Sequence, residues 1–332
     1  MSRQHRMSNQ VLDKLISGYM ATEQQVYAFG WQGGEPTLMG LDFFRRVTDL
    51  QQKHGRPGSV ISNGLQTNGT LLDDTFARHL HDYKFLVGVS LDGPADVHDH
   101  YRKRINGIGT HADVLRGIVC LRRNDVEFNI LTLVNSANVT KGREIYRYLS
   151  DMGFAFHQYI PCVEFDESGA PQPWSISGEE WGEFLCAVFD EWYESDTRRV
   201  SVRLFDSILS YLVDGVRNIC HMCGNCNQYF LIEHNGDVYP CDFFVEPDLN
   251  LGNVADHTWE EFLSSEKYHE FGLRKSAMAE RCADCAFMRY CMGDCPKHRM
   301  SGNVSELCPG WKQFFVHSLP RFEELAGSIE VG

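Results

Sequence analysis

Apolar residues recur along the first 195 positions in two alternating rhythms. Short runs rich in β-branched and aromatic residues, Gln25–Trp31, Ser59–Thr67, Phe85–Leu91, Glu127–Val134 and Phe154–Pro161, read as strands. Between them, Leu41–His54, Asp73–Asp82, Thr110–Asn124 and Lys141–Met152 repeat apolar residues at helical spacing. This strand–helix repetition predicts a parallel sheet with helices packed outside it, either doubly wound or curled into a barrel. The first predicted element is a helix, Val11–Met20, with no strand ahead of it. A βα barrel that opens on a helix is expected to lack its first strand.

From about residue 215 the rhythm breaks into short strands, glycines and few long helices. Phe184–Trp192 and Ser207–Leu212 read as helices joining the two regions. The expected organisation is an incomplete βα barrel over residues 1–195, a bridging helix over 196–214, and a cysteine-rich module with a C-terminal helix over 215–332. Such a module has too small a core to stand without metal cross-links.

Composition sharpens this picture. The 332 residues are 43% hydrophobic and 23% charged, enough for more than one compact core. Lys+Arg 31 against Asp+Glu 45 gives a formal net charge of −14, which argues against a nucleic-acid partner. No apolar run approaches membrane-spanning length and residues 1–20 hold no signal-peptide core, so the chain is read as cytoplasmic, without a membrane partner. In a reducing compartment twelve cysteines point to metal ligation rather than disulfides.

Nine of those cysteines lie between Cys220 and Cys308. The strongest local signal is Cys282-x2-Cys285-x5-Cys291-x3-Cys295, followed by Cys308. Upstream stand Cys220-x2-Cys223-x2-Cys226 and Cys241 in Tyr-Pro-Cys-Asp. Closely spaced cysteines put thiolates on a tight turn and later ones close the cage. Spacing alone admits two zinc sites as readily as two iron–sulfur clusters. Cys120, Cys162 and Cys186 stand in apolar or isolated contexts and read as ordinary buried thiols, and His298 as a solvated neighbour.

Three loops in the first region follow predicted strands: Trp31-Gln-Gly-Gly-Glu-Pro36, Gln66-Thr-Asn-Gly-Thr70 and Ser90-Leu-Asp-Gly-Pro94. Ligands of parallel βα sheets bind at such strand ends. With His98-Asp-His-Tyr-Arg102 and the late cysteines, these motifs resemble the anaerobic sulfatase-maturase branch of the radical S-adenosylmethionine (AdoMet) enzymes that carry a SPASM domain. The resemblance implies a (β/α)6 TIM-like radical SAM barrel followed by a SPASM iron–sulfur domain. By the same resemblance, Gly33, Gly34, Glu35, Ser90 and Arg102 hold AdoMet, with Arg102 paired to its carboxylate and Ile160 on the adenine side. A first auxiliary [4Fe–4S] cluster would take Cys220, Cys226, Cys241 and Cys295, and a second Cys282, Cys285, Cys291 and Cys308, leaving Cys223 surplus. Asp242 would deprotonate the substrate side chain.

The implied reaction oxidises a Cys or Ser side chain of an unfolded sulfatase, or similar peptide, to Cα-formylglycine, with flavodoxin or ferredoxin as reductant. A thioether- or carbon–carbon-crosslinking SPASM maturase is the neighbouring reading, and a non-catalytic iron–sulfur or zinc protein the third. One feature departs from the family: its Cys-x3-Cys-x2-Cys motif is absent, and no cysteine precedes Cys120. The expectation is therefore an N-terminally incomplete barrel, missing one strand and the cluster loop, that does not generate a radical by itself.

Overall fold

The computed structural model describes residues 6–299 and 303–330. The Ser8 hydroxyl accepts a hydrogen bond from the Val11 amide and starts α1 (Asn9–Met20). Leu12, Leu15, Ile16 and Met20 fall on its inner face and are buried. Strands and helices then alternate: β1 (Val26–Trp31), α2 (Leu41–His54), β2 (Val60–Thr67), α3 (Asp74–Asp82), β3 (Leu86–Ser90), α4 (Ala95–Tyr101), α5 (His111–Arg123), β4 (Phe128–Val134), α6 (Gly142–Asp151), β5 (Phe156–Pro161), α7 (Gly178–Ser195), β6 (Ser201–Val202) and α8 (Arg203–Asp214). The expected strands and helices of the first region are present, with ends moved by a residue or two. The six strands form one sheet in the order β1-β2-β3-β4-β5-β6, with β1–β2, β4–β5 and β5–β6 parallel. A consecutive order without reversal is the singly wound arrangement of βα barrels, not the doubly wound one.

Four elements differ from the sequence expectation: β6 has two residues and no apolar run to predict it, and α8 begins at Arg203 rather than Ser207. α4 is a single short stretch after Pro94, rich in Asp and His, with too few apolar positions to show a period. α7 is twice the length of its apolar middle, Phe184–Trp192. It begins at a Ser177–Glu180 capping box, the signal for its true start.

Internal contacts divide the chain into two compact units, with the division passing through β3 and α5. The first holds the described part of Met1–Gly88, Gly117–Glu127 and Asn225–Arg274. The second holds Val89–Arg116, Phe128–Gly224 and the described part of Lys275–Gly332.

In the first unit, α1 packs through Leu12, Ile16 and Met20 on Tyr27 and Phe29 of β1 and Val47 and Leu50 of α2. Each such burial stabilises by roughly 1.5–3 kcal/mol. A small antiparallel sheet of β7 (Leu231–Ile232), β8 (Asp237–Tyr239) and β9 (Gly252–Asn253) is followed by α9 (Trp259–Ser264) and α10 (Glu266–Leu273). Val238, Val254 and Phe262 form its core.

The second unit has an aromatic core. Phe189 and Trp192 of α7 meet Phe205 of α8 and Phe322 of α12 (Cys308–Glu330), Phe189 also meets Phe314, and Trp181 meets Trp311. Between α8 and α12 lies the single turn α11 (Met288–Cys291). α7 and α12 approach at Gly178, Gly182 and Gly310, where an added Cβ on Gly310 would overlap the Gly178 backbone. Glycine sets that closeness. No described helix is long and apolar enough to cross a membrane.

Candidate active site

In the first unit, β1 ends at Trp31 and the chain turns through Gln32, Gly33 and Gly34. Gly33 takes φ +142°, which a side chain would resist, and a Cβ built on either glycine meets nothing within 4 Å. Both glycines therefore present bare backbone to open space. Glu35 fixes the loop. Its Oε1 accepts hydrogen bonds from the Thr37 amide at 2.9 Å, the Thr37 hydroxyl at 2.6 Å and the Thr67 hydroxyl at 2.7 Å. Its Oε2 accepts from the Asn68 amide at 2.7 Å. One carboxylate thus clamps the loop after β1 to the loop after β2. Glu35 is placed to shape the pocket rather than to line it alone.

Gly33 and Gly34 line a cavity of about 1810 Å³ that also takes in Gln32, Tyr229, Asp242 and Trp259. Asp242 follows β8 by a short turn. Gln32 Nε2 donates to its Oδ2 at 2.9 Å and the Tyr229 hydroxyl donates to its Oδ1 at 2.5 Å. Burial and the bonded carboxylate push the Tyr229 phenol far above its usual pKa, so Tyr229 stays a donor. Asp242 is therefore an oriented carboxylate beside the glycine loop. It is not merely the end of a turn.

In the second unit, Ser90 ends β3 and Ile160 lies on β5 opposite Leu133 of β4. Arg102, at the end of α4, is held in two places by Asp92: Nε to Oδ2 at 2.5 Å and Nη2 to Oδ1 at 3.1 Å. Asp92 is 3% exposed and accepts a third bond from the Leu133 amide at 3.0 Å.

Cys282, Cys285, Cys291 and Cys308 line a single cavity in this unit, with Asp294 and Trp311 beside them. Burial pushes the Cys291 thiol up to about 11 and raises that of Cys308. A bound cation is what would make such groups thiolates. Four sulfurs around one cavity fit an iron–sulfur cluster, and no disulfide competes for them among the described residues. Among those residues no three His, Cys, Asp or Glu side chains converge at the spacing of one bound ion.

The other four proposed ligands are divided, Cys226 and Cys241 in the first unit and Cys220 and Cys295 in the second. Each sits on a turn: the Cys226 amide donates to Gly272 O, and burial pushes the Cys241 thiol up to about 11. The buried Lys275 ammonium holds the turn at Cys220 and His221 through both carbonyls, at 2.7 and 2.8 Å. The Cys223 thiol points at the Ile219 carbonyl, 3.5 Å away.

The chain matches the Radical SAM superfamily over residues 4–149 and an iron-sulfur cluster-binding domain, SPASM, over residues 220–286. A cysteine-type anaerobic sulfatase-maturating enzyme of Clostridium perfringens (strain 13 / Type A) is 37% identical across 98% of this chain and 90% of its own length. The chain belongs to the anaerobic sulfatase-maturating enzyme family. A serine-type anaerobic sulfatase-maturating enzyme of Bacteroides thetaiotaomicron is 35% identical over 95% of the chain and 82% of its own length. The solved structure of native anSMEcpe with bound AdoMet and Cp18Cys peptide superposes with a TM-score of 0.93, at 36% identity, over 97% of this chain and 92% of that one. A member of the anaerobic sulfatase-maturating enzyme family is a radical SAM oxidoreductase whose cofactors are AdoMet and iron–sulfur clusters.

Some positions that hold the candidate residues in place escaped the sequence reading. Asp92, Gln32 and Tyr229 were without assigned roles. The first two stand inside quoted motifs, but nothing local says what they hold. Tyr229 lies 13 residues before Asp242 and meets it only through the fold. His298 is a correction: its side chain is 12% exposed and donates or accepts at Nδ1 with Asp294, 3.0 Å away. Asp294 is fully buried. Burial opposes its charge, but His298, His221 and Ser305 outweigh that and hold its carboxyl well below the usual range. A buried partner therefore replaces the solvent expected around His298. Cys120 and Cys162 are buried as expected, Cys186 is half-buried, and burial pushes Cys162 and Cys186 up to about 11.

Proposed function

We propose that this chain oxidises a Cys or Ser side chain of an unfolded sulfatase-type polypeptide to Cα-formylglycine. The observation that carries this reading is Asp242. Its carboxylate, oriented by Gln32 and Tyr229, shares one cavity with the bare Gly33–Gly34 backbone. A carboxylate so placed accepts the proton of a target thiol or hydroxyl brought within hydrogen-bond reach. AdoMet, when bound and reductively cleaved, supplies the radical that removes hydrogen from the target Cβ.

In this reading Gly33, Gly34 and Glu35 hold the amino end of AdoMet, Arg102 pairs with its carboxylate, Ser90 contacts the cofactor, and Ile160 lies on its adenine side. Cys282, Cys285, Cys291 and Cys308 hold one auxiliary [4Fe–4S] cluster, and Cys220, Cys226, Cys241 and Cys295 the other, as acceptors of the substrate's electron. The barrel occupies residues 1–195, a helix bridges 196–214, and the SPASM module occupies 215–332. The setting is cytoplasmic, with flavodoxin or ferredoxin as reductant. C. perfringens and B. thetaiotaomicron relatives of cysteine and serine type match almost equally, so both target chemistries stay in the proposal.

These 332 residues contain no Cys-x3-Cys-x2-Cys. Assayed with AdoMet, a reductant and a Cys- or Ser-containing sulfatase peptide, the enzyme carrying a radical-generating cluster should cleave AdoMet and form formylglycine. The Asp242→Asn variant should still cleave AdoMet yet lose formylglycine. Full product yield from Asp242→Asn would remove Asp242 from the reaction.

A further inference from the structure

We propose that Asp92 is a positioning residue for AdoMet binding, holding one edge of the Arg102 guanidinium so that its other edge is fixed for the cofactor's carboxylate. The inference rests on the reading of Arg102 given above and concerns a residue to which that reading assigns no role.

The geometry forms a closed ring within the second unit. The Asp92 carboxylate takes the Nε–Nη2 edge of Arg102. The Asp92 amide donates to Nδ1 of His98 at 3.2 Å, and His98 Nε2 lies 3.2 Å from the Thr110 hydroxyl. That hydroxyl donates to the Arg102 carbonyl at 2.9 Å, and the Arg102 amide donates to the His98 carbonyl at 3.1 Å. His98 is fully buried and its pKa is pushed down to about 4, chiefly by burial, so the ring is neutral near pH 7. With Nδ1 accepting, Nε2 carries the proton and donates to Thr110. Arg102 is thereby held by its backbone and its side chain together.

Chemistry decides what this brace leaves available. A guanidinium offers five N–H donors in a rigid plane, and one edge serves one carboxylate at a time. Asp92 occupies the Nε edge, which leaves Nη1 and the outer hydrogen of Nη2 for an incoming carboxylate. A lysine at position 102 would keep the charge and lose the plane. Asp92 also opposes the ligand's charge, so removing it for purely electrostatic reasons would tighten carboxylate binding. Positioning and charge thus predict opposite signs.

The test is equilibrium binding of AdoMet and of decarboxylated AdoMet, which keeps the amine and the sulfonium, to the purified chain. Asp92→Asn should weaken AdoMet by about tenfold, the scale of one charge-assisted bidentate contact, and leave decarboxylated AdoMet unchanged. Arg102→Lys should give the same carboxylate-specific loss, and Asp92→Glu, which keeps the charge and displaces the carboxylate, should give a smaller one and stands in if Asp92→Asn does not fold. Equal losses for the two ligands would make Asp92 merely structural, and unchanged or tighter AdoMet binding would overturn the proposal outright. Arg102→Ala separates the two layers. If it leaves the preference for AdoMet over its decarboxylated form intact, Arg102 itself is misassigned. If it abolishes that preference while Asp92→Asn does not, only the role of Asp92 falls.

Discussion

Each unit uses a carboxylate to hold a loop beyond a strand end, but the two are satisfied in opposite ways. Glu35, half-buried, is met by neutral donors only: an amide and a hydroxyl of Thr37, the Thr67 hydroxyl and the Asn68 amide. Asp92, almost wholly buried, is met by the Arg102 cation and one amide. The first arrangement uses up the carboxylate in setting loop shape and leaves bare glycine backbone facing a cavity. The second leaves a cation with donors still to give. One unit therefore presents bare backbone, and the other a braced cation and a cluster of thiols.

The largest effect expected from breaking this contrast lies among the thiols. Cys285→Ala should remove one cluster, about four iron and four sulfide per chain, and should loosen the second unit, whose cysteine segments have little core of their own. AdoMet binding at the Gly33–Gly34 loop should persist. Iron and acid-labile sulfide counts on anaerobically purified protein decide it, and an undiminished count would take Cys285 out of the ligand set. Next comes the core around α1 in the first unit. Ile16 is fully buried against β1 and α2, so Ile16→Ala should destabilise by about 2–5 kcal/mol with no change in iron content. Denaturant unfolding of the two variants would then separate packing from metal as the source of stability.

Much of this was legible in the sequence because strands, helices and cysteine spacing are local signals. β2 and α2 announce themselves through period, and Cys282 to Cys308 through spacing. Loop chemistry is different. Gly33-Gly34 and Ser90-Leu-Asp-Gly-Pro mark where a site lies, yet the partners of Glu35 stand 32 and 33 residues away and the Leu133 partner of Asp92 stands 41 away. No window of sequence contains both ends of such a bond. His298 failed for the same reason: His four residues after Asp294 gives a pairing distance, but only the fold buries both. α4 was missed because seven residues give too few turns to establish a period.

The charge-based unit should also be the acid-sensitive one. His98 and His157, both in the second unit, have pKa values pushed down to about 4, in each case first by burial. An unfolded histidine titrates near 6.5, so the unfolded state binds the extra proton first. Stability from these groups is complete above about pH 6.5 and is lost as pH falls from there toward 4. Each contributes up to about 3 kcal/mol across that window. Thermal midpoints between pH 7 and pH 4.5 should fall, and His157→Gln should flatten the slope if its buried neutral ring is the cause. A slope unchanged by that substitution would assign the acid loss elsewhere.

The smallest expected effect separates the two carboxylates most sharply. Glu35→Gln keeps the side chain's length but sets an amide NH2 against a donor, either the Asn68 amide or the threonine hydroxyls. A donor facing a donor costs about 1–3 kcal/mol, part of it relieved if a hydroxyl turns to accept. The loops after β1 and β2 should then part slightly, and the loss should fall on whatever the glycine backbone binds. If that is the amino end of AdoMet, Glu35→Gln weakens AdoMet and decarboxylated AdoMet alike, whereas Asp92→Asn weakens only the former. Parallel titrations of the two ligands against the two variants carry the whole contrast. Should Glu35→Gln prove selective for the carboxylate-bearing ligand, shape and charge would not be divided between the units in this way.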